Sequence, residues 1–178
     1  MSRKSKNTAA DNKEKLENVV NELNKLDIEL KETVLFFAKE STQDEIIKSF
    51  NQGALDTFDE IMRIIRIKGV ESQYKISVYR DHFLKAVKVN YLLPIDKFTL
   101  VILEFALSIY KRDETLFLDM TIPDTQLDRK NEFSIIRSEE FKKLWKTLND
   151  EQKTSIWDKV EDMTRNAHMY FYKTILSI

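Results

Sequence analysis

The sequence predicts an all-α, single-domain bundle of five or six helices that ends in an αα-hairpin anchored by two tryptophans. Three observations lead there. The 178 residues include only 2 Gly and 2 Pro, where average usage would give about 12 and 9, so few sharp turns can be built. Five stretches repeat their apolar residues with the 3.6-residue helical period. Both tryptophans, Trp145 and Trp157, fall in one C-terminal region, with helix-capping residues between them.

Composition bounds the function classes. The chain is long enough for one substantial core and short for two. Hydrophobic residues are 42% and charged residues 33%, and the net charge of −1 supplies no global field toward nucleic acid or membrane. The absence of cysteine removes disulfides, thiolate nucleophiles and zinc–cysteine sites, and fits a reducing, intracellular setting.

Residues 1–15 carry Arg3, Lys4, Lys6, Lys13 and Lys15 with almost nothing apolar. They are expected to form a disordered basic tail ahead of a helical domain over 16–178. They lack the apolar run of a secretory signal. From residue 11 to 39, Leu16, Val19, Leu23, Leu26 and Leu30 keep a heptad beat, followed after a break at Thr33 by Phe37. Asn18, Asn21 and Asn24 weaken this helix on its own, so it must gain stability by packing. The five seam residues are therefore the candidate partner-binding surface, for a homo-oligomer or another protein. Packing on the protein's own core is the alternative.

Thr42 and Glu45 stand at capping-box spacing. Ile47, Phe50, Ala54, Phe58, Ile61 and Ile65 then run as one stripe, Ile64 and Ile67 add a second apolar edge, and Gly69 supplies the stop. Gly53 inside this helix marks a break or a close helix contact. Residues 70–90 suit a helix through Ile76, Tyr79, Phe83 and Val87, and Pro94 breaks it. Asp96 can cap a further helix that turns Val101, Ile102, Phe105, Ala106 and Ile109 inward; Glu104 interrupts its apolar run, which is too short for a membrane span. Residues 115–122 alternate as a strand would, yet a short helix capped by Asp113 fits equally. Residues 123–137 are the least regular stretch.

Ser138 is a good N-cap with Glu139 and Glu140 in the first turn. Phe141, Leu144, Trp145 and Leu148 then form one face of a short helix. Asn149 restarts the chain with Gln152 in capping-box position, and Ile156, Val160, Met163 and Ala167 make the next stripe. Two helices joined this tightly are expected to fold back on each other, with Trp145 and Trp157 near the closed end.

The run Phe141-Lys142-Lys143-Leu144-Trp145-Lys146-Thr147-Leu148, then Glu151-Gln152-Lys153 and Ile156-Trp157, resembles an element of uncharacterised proteins of nucleocytoplasmic large DNA viruses. There a Trp-x-x-Leu helix end leads through a polar turn to an Ile-Trp pair. The resemblance covers residues 141–165. It departs after the second tryptophan, where Asp158, Lys159 and Val160 stand in place of a frequent Tyr-Leu. It implies a viral origin, with a virion or viral factory as a location beside the cytoplasm, and it implies no chemistry.

Recognisable catalytic motifs are missing. Gly53 and Gly69 stand alone, so no phosphate loop can form, and no Gly-x-Ser-x-Gly elbow exists. His82 and His168 have no second histidine one turn away, and surface or half-buried positions are expected for both. Asp56 with Asp59, and Asp158 with Glu161, lie one helical turn apart. This spacing resembles the magnesium-binding pairs of all-α nucleotide pyrophosphatases, but it is common on solvated faces. Lys142, Lys143 and Lys146 beside Trp145 would make a basic-aromatic patch able to stack a base, unless Trp145 is buried. No catalytic, metal or cofactor residue is assigned. The expected function is a non-enzymatic interaction or structural module acting through an apolar helical face. A metal-dependent nucleotide hydrolase and a nucleic-acid-binding protein are the alternatives, and membrane association is not expected.

Overall fold

The computed structural model describes residues 2–70, 76–118 and 139–178. Among these residues the chain forms nine α-helices and no strand: α1 (Ser2–Asn24), α2 (Ile28–Glu40), α3 (Gln43–Lys68), α4 (Ile76–Val89), α5 (Leu93–Leu103), α6 (Ala106–Tyr110), α7 (Thr115–Leu118), α8 (Glu139–Thr147) and α9 (Asp150–Tyr170). A π-helical turn, Phe171–Ile175, prolongs α9. The class is the expected all-α bundle, but the count of five or six is corrected to nine.

The excess has local causes. The seam from Leu16 to Leu30, expected on one helix, is cut after Asn24, where Lys25 and Leu26 bond carbonyls three residues back and tighten the last turn. The helix expected from Asp96 onward is cut at Glu104, and the Phe105 N–H returns to the Ile102 carbonyl at 3.0 Å before α6 begins. The stretch left open between strand and helix is helical over α7. Its start is fixed by the Asp113 carboxylate, which accepts from the Thr115 N–H at 3.0 Å and its hydroxyl at 2.8 Å. Residues 119–122, the irregular segment 123–137 and the expected cap Ser138 lie outside the described residues. The basic stretch expected as a tail falls in the first part of α1.

Helices α3 and α9 form the centre and pack on each other more extensively than any other pair. Both start with a complete capping box, Thr42 with Glu45 and Asn149 with Gln152. Gly53 lets them approach, because a Cβ there would sit 3.3 Å from Met163 Cγ. Thr57 then bridges the contact, its hydroxyl 2.7 Å from the Gly53 carbonyl and 3.3 Å from Met163 Sδ. The Ser155 hydroxyl donates to Glu60 across the same interface at 2.6 Å. Helices α2 and α5 lie on α9, α4 lies on α3, and α1 covers α5 and α6.

An aromatic cluster closes the other end. Phe117 of α7 sits with its ring 4.7 Å from Trp145, 4.6 Å from Trp157 and 5.4 Å from Phe141. The two tryptophans meet edge to face at 5.7 Å, and both are buried. Helix α8 thus leans on α7, and α9 takes α3 as its main partner.

Candidate interaction surface

Three of the five seam residues, Val19, Leu23 and Leu26, are buried within the chain itself, and Leu16 and Leu30 are half-buried against the same core. Helix α1 reaches α5 and α6, and its Glu22 accepts the Leu107 N–H at 3.3 Å. The chain's own core thus takes up Val19, Leu23 and Leu26 and part of Leu16 and Leu30, on either side of the break at residues 25–27.

Three of the four carboxylates in the two acidic pairs are engaged by arginines. The Arg112 guanidinium bonds Asp158 at 2.6 Å and Glu161 at 2.9 Å, and Arg165 bonds Glu161 at 3.2 Å. Asp59 pairs with Arg80 at 2.7 Å, while Asp56 accepts from Gln52 at 2.8 Å. Among the described residues no group of three or more His, Asp or Glu side chains is placed to hold a metal ion. The basic-aromatic patch does not assemble either. Trp145 is 0% exposed, so neither face of its ring is open to a base, and Lys142 is buried while Lys143 and Lys146 are exposed.

His82 is exposed, but His168, expected at or near the surface, is fully buried. Its Nδ1 lies 3.1 Å from the Tyr110 hydroxyl and its ring 4.5 Å from that of Tyr172. Its Nε2 has no hydrogen-bond partner among the described residues. Loss of water pushes the His168 pKa down to about 3 and raises that of Tyr110. The pair is neutral and internal, and helps dock α6 on α9.

What remains open is apolar surface. On α2, Val34 and Ala38 face inward to α9 and the π-helical turn. Lys173 from that turn fastens the end of α2 by donating to the Ala38 carbonyl at 3.1 Å. The opposite side carries Phe36 and Phe37, 59% and 48% exposed, with their rings 5.6 Å apart and edge to face. Ile28, at the start of α2, is exposed as well. The heptad beat takes in Phe37 after the break at Thr33 and leaves Phe36 out. A usable signal was present: adjacent helical residues lie about 100° apart, so one narrow stripe cannot bury both rings. Other apolar exposures occur at Ile67, at Val78, at Val89, Tyr91 and Leu93, and at Ile175, Leu176 and Ile178. Unlike these, the α2 pair sits mid-surface on a regular helix with its rings in mutual contact.

No helix among the described residues is long and apolar enough to cross a membrane. No family model matches the sequence, and no solved structure matches it. Among curated proteins, the chain is 45% identical over 176 residues to a protein of Acanthamoeba polyphaga mimivirus described as "Uncharacterized protein R465". The match covers 99% of this chain and 98% of the mimivirus protein. Similarity to a large DNA virus protein therefore extends from residues 141–165 to nearly the whole sequence.

Proposed function

The chain belongs to the family of this mimivirus protein, and on that premise we propose that it is a non-enzymatic interaction module that docks a partner protein through the outer face of α2. The infected cell, in its cytoplasm or viral factory, is the setting proposed for it. The exposed Phe36–Phe37 pair is the observation that carries the reading. About half of each ring is in water, so covering the pair would contribute about 1 kcal/mol per ring, and rigid aromatic anchors dominate protein interfaces. The engagement of Asp158 and Glu161 by Arg112, and the burial of Trp145, favour this reading over the hydrolase and nucleic-acid alternatives.

The test places a photo-crosslinking amino acid at Thr33, beside the pair, in the full-length chain expressed in infected cells. A discrete adduct that disappears when Phe36 and Phe37 are both changed to Ala is the expected result. Adducts unchanged by that substitution would remove α2 as the docking face. Divalent-metal-dependent nucleotide turnover by the purified chain, lost in Asp158→Asn, would replace the reading with an enzyme.

A further inference from the structure

We infer that the partner of α2 is a basic amphipathic helix, an inference that rests on the docking role proposed above and names the chemistry it selects. The exposed side of α2 is organised as two ridges of residues four apart. Glu32, Phe36 and Glu40 form one, and Glu29, Thr33 and Phe37 the other. Such ridges bound the grooves into which a second helix packs its own side chains. The aromatic pair gives that helix an apolar floor, and carboxylates frame the floor: Glu29 and Glu32 before it, Glu40 after it, all exposed. None of the three has an ion-pair partner among the described residues.

Lys39 is the one exposed cation on this helix, against exposed Glu29, Glu32, Glu40 and the preceding Asp27. The aromatic pair also lies in the C-terminal half of α2, toward the negative end of the helix dipole. The charge around the rings is therefore negative on a protein whose net charge is only −1. A helix with an apolar stripe flanked by Lys or Arg complements both features. An acidic helix with the same stripe would meet like charge at Glu29, Glu32 and Glu40 and an opposite charge only at exposed Lys39, which costs affinity and slows encounter.

The experiment uses the full-length protein and two synthetic helical peptides of about 18 residues, one built of Leu and Lys, the other with Glu replacing every Lys. Binding is read by fluorescence anisotropy, with circular dichroism confirming that each protein variant keeps its fold. The Leu/Lys peptide should bind, and bind about tenfold or more weakly to the Phe36→Ala/Phe37→Ala variant and to the Glu29→Lys/Glu32→Lys variant. The Leu/Glu peptide should bind the wild type less well and gain on Glu29→Lys/Glu32→Lys. Equal binding of both peptides, abolished by the Phe36→Ala/Phe37→Ala change, would overturn the basic partner and leave α2 as an apolar docking face. Leu/Lys binding indifferent to that change would overturn both readings. Sedimentation showing a wild-type dimer that the same change dissociates would assign the face to a second copy and overturn the inference.

Discussion

Burial strips His168 of water on every side, and its only polar contact among the described residues is the Tyr110 hydroxyl at 3.1 Å. An imidazolium there would carry a desolvated charge with nothing to offset it, which is why its pKa falls to about 3. In the unfolded chain the same group titrates near 6.5. Between those values the unfolded state binds the extra proton, so stability is full above pH 6.5 and declines as pH falls toward 3. About 2 kcal/mol should be lost by pH 5, read as a drop in urea midpoint that His168→Phe removes; an identical pH slope in that variant would exonerate the histidine. Arg112 poses a different residue-scale problem, since it holds its ion pairs from a left-handed backbone at φ 52°. Arg112→Gly and Arg112→Ala lose the same pairs, but only glycine relieves the backbone. The glycine variant should therefore be the more stable of the two by about 1 kcal/mol, and equal melting points would argue against strain at this position.

At the scale of the elements, caps decide where the central pair of helices begins and ends. Thr42→Ala and Asn149→Ala each break a capping box at the start of α3 or α9 and should each destabilise the protein by about 1 kcal/mol. An unchanged urea midpoint in both would show that tertiary packing alone fixes these helix starts. These boundaries were legible in the sequence because cap signals are local, and so was Gly69, which ends α3 at φ 70°. The stripe Ile47, Phe50, Ala54, Phe58, Ile61 and Ile65 was legible for the same reason and is buried except at Phe58, which is half-buried against the core. What escaped depends on packing across the chain. A heptad seam continues across Leu23 and Leu26 whether or not the helix does, so the break before α2 was invisible and Phe37 was read as a continuation of the seam. Of the second apolar edge, Ile64 is fully buried while Ile67, one turn on, is 66% exposed. His168 was expected near the surface because its burial depends on packing against α6, where Tyr110 lies 58 residues away and no spacing rule connects the two. The candidate site was the least legible part, because it is defined by what other helices fail to cover.

At the scale of the whole molecule, two apolar faces near the N-terminus behave oppositely, and that contrast separates core from docking surface. Leu23 is 3% exposed in the core cluster that α1 completes against α5 and α6. Glutamate there would strand a carboxylate among apolar side chains, a change expected to cost about 3 kcal/mol or more. Phe36 and Phe37 rest on the outside of α2, whose inner face is already satisfied by Val34 and Ala38. Glutamate at both should cost about 1 kcal/mol, well below the cost at Leu23, because about half of each ring is already in water and neither belongs to the buried core. Global unfolding monitored by urea should therefore shift strongly for Leu23→Glu and much less for Phe36→Glu/Phe37→Glu, while only the second abolishes the α2-dependent crosslink. The reverse pattern, with Leu23→Glu stable but unable to assemble, would return the partner surface to the seam and make α2 an incidental exposure. The two substitutions lie 13 residues apart in sequence, so one pair of proteins decides between an interface made by α1 and one made by α2.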